Sequence, residues 1–418
     1  MPRMRAPTIP RLTTPTTTPG PREFVAMMAL VMALNALAID TMLPALPAMA
    51  AARHAPSDNA QQAIISFYFF GLAFGSLLHG PLADRFGRRR IILGAIIAYI
   101  IVALATPMAQ SWTMLLAMRF LHGLCGAAMG VVATAVVRDR TSGDQMARTL
   151  SLIFLIFMIV PIIAPSVGQL LLMFAPWPMI FVLLAALACA MGLWVYLRLG
   201  ESLNPDNLLP LRIAPMLDSW RQVSTHRQAV AYMIGSSLAV GANYGFLNSA
   251  QQIIAVGFGR ADIFALCFAC VAGGIAFSNF WNARLVLRFG ARRVSQSALI
   301  AFLLLSFVQF YMASAQESLW GFIVIVSLNM GMIGFIGANF SSIAMQPFGH
   351  IAGTASSFQN AVRTMVAAAV GAIIGAQFDG SSVPLAKGYM LCGALSLLCI
   401  LWGERGQLFT RPNPPHLP

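Results

Sequence analysis

The sequence predicts an all-α polytopic membrane protein of twelve transmembrane helices arranged as two six-helix pseudo-repeats. Three observations predict it. Of the 418 residues 58% are hydrophobic and 9% charged, with a mean hydropathy of +0.76, whereas a soluble domain carries about 25% charged residues. Twelve stretches reach the length of about 20 mostly apolar residues that a spanning helix needs. One arginine-rich hexad, finally, occurs twice, at the same place in each half.

Residues 1–22 are rich in Pro and Thr and read as a disordered tail. The spans follow at about 24–44, 62–82, 91–109, 112–134, 149–172 and 178–198, then 228–250, 262–282, 294–313, 318–341, 352–376 and 385–403. The first span is too long for a cleaved signal and carries Asp40, with Pro44 and Pro47 where small cleavage-site residues would sit. The long break at 199–227 separates a six-helix bundle at 23–198 from another at 228–403, and 404–418 form a second tail.

Alternating the loops from one side to the other puts 21 Lys and Arg residues on the side of both termini. Only Arg53, Arg260 and Lys387 lie on the opposite side. The positive-inside rule then places both termini in the cytoplasm. The pI near 10.4 follows from inner loops that face anionic lipid, so no nucleic-acid partner is expected. The six cysteines all lie in apolar stretches and read as packing residues. Cys267 and Cys270 have metal-motif spacing, but no further Cys or His nearby completes a site, and neither a metal nor a cofactor is expected. There is no phosphate-cradling loop of the P-loop kind.

The repeat is Arg85-Phe86-Gly87-Arg88-Arg89-Arg90 after span 2 and Arg288-Phe289-Gly290-Ala291-Arg292-Arg293 after span 8, offset by 203 residues. Two Arg-rich inner loops could converge on such a composition. The shared Phe-Gly and the equal position favour duplication. Transporters use this plan, with the substrate site near mid-membrane between the halves. Three charges remain inside spans: Asp40, Arg119 and Arg363. An Arg at mid-membrane costs at least ~2.5–3.5 kcal/mol on insertion scales, so each of the three is a functional candidate.

Gly80-Pro81-Leu82-Ala83-Asp84-Arg85-Phe86-Gly87-Arg88-Arg89 resembles the signature loop of the major facilitator superfamily. Arg119-Phe120-Leu121-His122-Gly123 is similar to its Arg-x-x-Gln-Gly pattern, with His122 in place of Gln. Ala164-Pro165-Ser166-Val167-Gly168-Gln169 is similar to the antiporter motif of span 5, with Ala164 and Gln169 in place of two Gly residues. Asp40-Thr41-Met42-Leu43-Pro44-Ala45-Leu46-Pro47 and Gly353-Thr354-Ala355-Ser356-Ser357 resemble the Bcr/CflA-type drug-resistance branch. Some related antiporters carry a second acid about two turns earlier in helix 1, where this chain has Met32 to Asn35.

The resemblance implies a major facilitator fold and a conformational latch built from Gly80, Asp84, Arg85, Gly87 and Arg88. The plainer reading of Asp84 is a helix cap plus topogenic charge. Leu287 stands at its counterpart, so the latch is expected in one half only. Pro161, Pro165 and Gly168 are expected to bend and tightly pack span 5, a use shared by ordinary helix packing. Gly123, Gly126 and Gly130 make a small-residue face that would bring Arg119 close to helix 1. Asp40, tuned by Arg119, is the expected proton carrier. The alternatives are a fixed buried Asp40–Arg119 pair, or Asp40 as a cap before Pro44. Asn35, Tyr68, Asn243, Tyr244, Asn248 and Arg363 are the substrate-binding candidates, with Tyr232, Asn329, Asn339 and Gln359 further possibilities. The 24 Met and 28 Phe supply adaptable apolar surface, although most such residues face lipid or pack.

The activity so implied is proton-coupled efflux antiport of small, largely apolar drugs by alternating access, in a bacterial inner membrane, by a monomer that binds substrate and protons. The alternative is a proton-coupled transporter of a metabolite, either exporter or symporter. A membrane-embedded enzyme would need clustered His, Asp or Glu at depth; the spans offer one acid, and no enzymatic activity is expected.

Overall fold

A backbone that crosses hydrocarbon must satisfy its own amides, which restricts it to helices or closed barrels. The structure, a computed structural model, describes residues 19–141, 143–203 and 213–410. The regular elements are α1 (Pro21–Asp40), α2 (Leu46–Ala52), α3 (Ala63–Phe86), α4 (Arg88–Ala105), α5 (Trp112–Arg140), α6 (Gly143–Phe157), α7 (Val160–Phe174) and α8 (Pro178–Arg198). They continue with α9 (Ile213–Thr225), α10 (Arg227–Gln252), α11 (Phe264–Phe289), α12 (Ala291–Ser314), α13 (Leu319–Met345), α14 (Ala352–Ala376) and α15 (Val383–Gly403). Among the described residues these and short helical turns form twelve membrane-length spans. Tail residues 1–18 and 411–418 and linker residues 204–212 lie outside the described residues, and with them Arg3, Arg5, Arg11, Arg212 and Arg411.

Several boundaries differ from expectation. α1 starts at Pro21, so Arg22 belongs to its first turn and not to the tail. The first span runs on through a 3-10 turn (Leu43–Ala45) and α2 to Ala52. Pro44 and Pro47 occupy first-turn positions, where no intrahelical N–H is lost. α5 extends to Arg140, so Arg138 lies on a helix that continues past the apolar stretch. Span 5 does not merely bend but divides into α6 and α7, because Pro161 at the start of α7 has no amide to continue the ladder. The linker holds α9, an amphipathic helix whose Trp220 ring stacks on Phe358 of α14 at 5.4 Å.

α3 and α4 meet at Gly87 (φ +94°, ψ 147°), and α11 and α12 meet at Gly290 (φ +87°, ψ 150°). Both glycines hold the same positive-φ turn, which side chains with a Cβ resist. The duplicated hexads therefore fold into the same turn. Both turns lie at the end of the bundle where α1 begins and α15 ends, here the terminal end; the opposite end is the far end. The first six spans meet the last six chiefly where α3 packs on α14 and α7 on α11.

Candidate functional site

Arg119 of α5 has no exposed surface. Its Nε donates to the Ile64 carbonyl (3.2 Å) and its Nη2 to the Ala38 carbonyl (3.3 Å). Nη1 lies 3.0 Å from Nδ1 of His122, and the guanidinium sits 4.5 Å over the Tyr68 ring. Facing a donor, His122 Nδ1 must accept, which leaves the ring proton on Nε2, an atom that is buried without a partner. Glycines make this crowding possible: a Cβ on Gly123 would strike the Tyr68 carbonyl, and one on Gly126 would strike Asn35 and the Tyr68 hydroxyl. The small-residue face of α5 thus packs on α3 as well as α1, while Gly130 has nothing within 4 Å and takes no part.

Asp40 ends α1 and is 5% exposed. Among the described residues it forms no ion pair and no side-chain hydrogen bond. The fixed Asp40–Arg119 pair is therefore absent here, because two backbone carbonyls and His122 take up the guanidinium. The neighbouring Thr41 carbonyl lies against Gly168 of α7, where a Cβ would clash. The break before Pro161 thus leads into a helix seated on the residue after Asp40, and Pro165 is buried in that same helix.

The other candidates divide. Asn35 bridges three helices: its Nδ2 donates to the Gly126 carbonyl (3.0 Å) and its Oδ1 accepts from Tyr68 (2.8 Å). Tyr244 of α10 stacks on Phe69 of α3 with centroids 3.6 Å apart, across the seam between the halves. Asn248 donates to Ser66 over the same seam (3.3 Å), and its Oδ1 is buried without a partner. Asn243 is half-buried and makes no side-chain hydrogen bond among the described residues. Arg363 of α14 donates to Asn360 (2.7 Å) and Ser341 (3.3 Å), and Asn360 in turn donates to Ser76 of α3 (3.3 Å). No acid lies within ion-pair distance of Arg363 among the described residues. Tyr232, Asn329 and Asn339 are bonded within the second half, to Glu404, Gln309 and Asn282. Gln359 donates to the Ser341 carbonyl. These four are tied to neighbours in their own half.

At the terminal end Arg88 is 4% exposed and pairs with Asp84 (2.6 Å) and with Asp139 of α5 (3.1 Å). Asp84 does not cap α4. Glu201, from beyond α8, does so by accepting from the amides of Arg88 (2.9 Å) and Arg89 (3.2 Å). Gly80 faces Ser357 of α14, and Arg85 lies over Phe86. Hydrogen bonds between the halves gather at the far end. Asn59 donates to the Ala376 and Phe378 carbonyls (3.1 and 2.9 Å), Gln252 to the Asp58 carbonyl (3.1 Å) and to Asn59 (3.0 Å), and Gln62 to Gln252. Gln169, one of the departures in the span 5 motif, donates to the Asp262 carbonyl (3.1 Å). Sequence reasoning missed Asp139, Glu201, Phe69, Asn360, Asn59, Gln62 and Gln252. Glu201 did carry a signal, since it stands 203 residues before Glu404, the offset of the hexads.

Among the described residues no group of three His, Cys, Asp or Glu could hold a metal, and Cys125, Cys189, Cys267, Cys270, Cys392 and Cys399 are free thiols.

The twelve spans, the duplicated turn and a polar seam between two sets of six helices define a secondary-transporter architecture. A model of the Major Facilitator Superfamily matches residues 28–372, and the chain belongs to that superfamily. It is 27% identical over 377 residues to a bicyclomycin resistance protein homolog of Haemophilus influenzae, covering 90% of this chain and 94% of that one. It is 30% identical over 254 residues to the multidrug resistance protein MdtL of Salmonella typhi, covering 60% and 63%. Among solved structures, a D-xylose–proton symporter has the same fold, with a TM-score of 0.69 at 13% identity over 91% of this chain and 97% of that one. So does the human organic anion transporter MFSD10, with a TM-score of 0.59 at 18% identity over 92% and 100%.

Proposed function

We propose that the protein is a proton-coupled efflux antiporter of small, largely apolar drugs in a bacterial inner membrane, with both termini cytoplasmic. The relatives named for bicyclomycin and multidrug resistance support the substrate class, and the arginine-rich terminal end supports the orientation. The observation that carries the coupling is Asp40, a buried carboxyl with no partner among the described residues, seated two residues beyond the carbonyl that holds Arg119. An unpaired buried charge is too costly to persist in one state. A carboxyl there changes its charge when the surrounding helices open it to water or bring Arg119 to it. The bundles 23–198 and 228–403 then rock about the seam of Phe69, Tyr244, Asn248 and Arg363, where the substrate binds. The pairs around Arg88 latch the inner side, and the amides of Asn59, Gln62 and Gln252 close the outer side. The protein acts as a monomer.

Asp40→Asn keeps the shape of the side chain and removes its titration. In everted vesicles, drug addition dissipates a preformed proton gradient with the wild-type protein and not with Asp40→Asn, which still equilibrates drug downhill. Retained uphill efflux with a normal pH dependence would falsify the assignment. Arg363, which has no acidic partner among the described residues, favours one second reading, a transporter of a carboxylated metabolite. In that case such a compound, and none of the drugs, moves protons in the same vesicles.

A further inference from the structure

A cavity of about 560 Å3 lies away from the seam, between α11, α12 and α13 at the terminal end. Leu285, Phe289, Ala301, Met332 and Phe335 make its apolar wall, and Arg293 and Ser297 its polar margin. Its volume falls in the range of small-molecule sites. It follows α12 from Arg293 to Ala301, about 12 Å at the helical rise. The chain after α15 closes one side: the Phe409 amide donates to Gln296 (2.6 Å), and Arg293 Nε donates to the Phe409 carbonyl (3.0 Å).

The turn beside this cavity has fewer acids around it than the turn of the first half. There Asp84 and Asp139 pair with Arg88, and Glu201 takes the backbone amides of Arg88 and Arg89. In the second half Leu287 stands for Asp84 and Ser342 for Asp139, and Glu404 serves Arg292 at 3.3 Å. Arg284, Arg288 and Arg293 are exposed and, among the described residues, have no acid within ion-pair distance. Arg284 lies over Phe280 and Trp281, and Arg288 over Phe289, the aromatic setting of a membrane–water interface. Basic sites between transmembrane helices at that depth hold anionic lipid headgroups.

We propose that this cavity is a binding site for an anionic phospholipid, one acyl chain lying against the wall of α11, α12 and α13 and the phosphate meeting Arg293 and Arg288. The lipid supplies the anion that the second half lacks. A soluble phosphate would make no use of the apolar wall, and a zwitterionic lipid would leave the arginines unmatched.

The test is independent of transport. Purified, delipidated protein is offered phosphatidylglycerol or phosphatidylcholine, and bound lipid is read by native mass spectrometry together with the shift in melting temperature. Phosphatidylglycerol is retained at least about tenfold better. Arg293→Gln weakens it about fivefold, the equivalent of one basic residue at a membrane surface. Ala301→Phe, which fills the cavity and leaves every arginine in place, removes the preference; Ser297→Leu does the same should that variant not fold. Equal retention of the two lipids overturns the proposal, as does binding indifferent to both Arg293→Gln and the filled cavity. A preference that emerges only after deletion of residues 411–418 would make the chain's own tail the occupant and overturn it as well.

Discussion

The turn between α3 and α4 and the turn between α11 and α12 share a backbone and differ in their chemistry. Each bends at a positive-φ glycine, Gly87 or Gly290, and each has a carboxylate at the same distance along the chain from that glycine, Glu201 or Glu404. In the first half Glu201 takes backbone amides and leaves Arg88 to Asp84 and Asp139. In the second, Ala291 replaces Arg88, and Glu404 takes side chains instead: Arg292, Tyr232 (2.7 Å) and Gln228 (3.1 Å). The two copies keep the shape of the turn, while substitution gives one a set of ion pairs around Arg88 and the other a polar cluster around Glu404.

Exchanging the Arg88 position tests this most severely. Arg88→Gln strands two acids, and breaking a buried pair costs about 3–5 kcal/mol. We expect transport to fall by at least about tenfold with insertion intact, whereas Ala291→Gln changes it less than about twofold; equal losses would show that the two turns do the same work. Next come the paired carboxylates. Glu404→Gln weakens hydrogen bonds to a charged group, each worth about 1.5–3 kcal/mol, and Glu201→Gln weakens a helix cap worth about 1 kcal/mol. The melting temperature therefore falls further for Glu404→Gln, and the reverse order would mean that the cap is the stronger element. Smallest is Leu287→Asp, which returns an acid to the second turn. Exposed pairs are worth about 0.2–1 kcal/mol, so it should lower the phosphatidylglycerol preference about twofold and leave transport unchanged; a loss of transport would mean that the second turn also latches.

The twelve spans and the repeat were legible in the sequence because hydrocarbon imposes length and apolarity directly on composition. α9 was not legible, since a short amphipathic helix in a polar linker has no such constraint and gains its stability from Trp220 lying on Phe358. The three intramembrane charges were legible as costly residues, but their partners were not. Arg119 is satisfied by the carbonyls of Ile64 and Ala38, and backbone acceptors carry no sequence signature. Tyr232, Asn329 and Asn339 look like Tyr244 and Asn248 in sequence. Only the face of the helix separates residues bonded inside a half from residues on the seam, and in spans this uniformly apolar the face is not written in the hydropathy.

The far end closes on Asn59, Gln62, Gln169 and Gln252, all uncharged amides. A hydrogen bond from an amide given up to water costs a net of about 1 kcal/mol, so the six named above between the halves amount to roughly 6 kcal/mol. One elementary charge crossing 100 mV delivers about 2.3 kcal/mol. The closure is thus comparable in work to two or three elementary charges crossing such a voltage. Carboxylate–arginine pairs in the same place could have bound more tightly than the membrane's driving force can release.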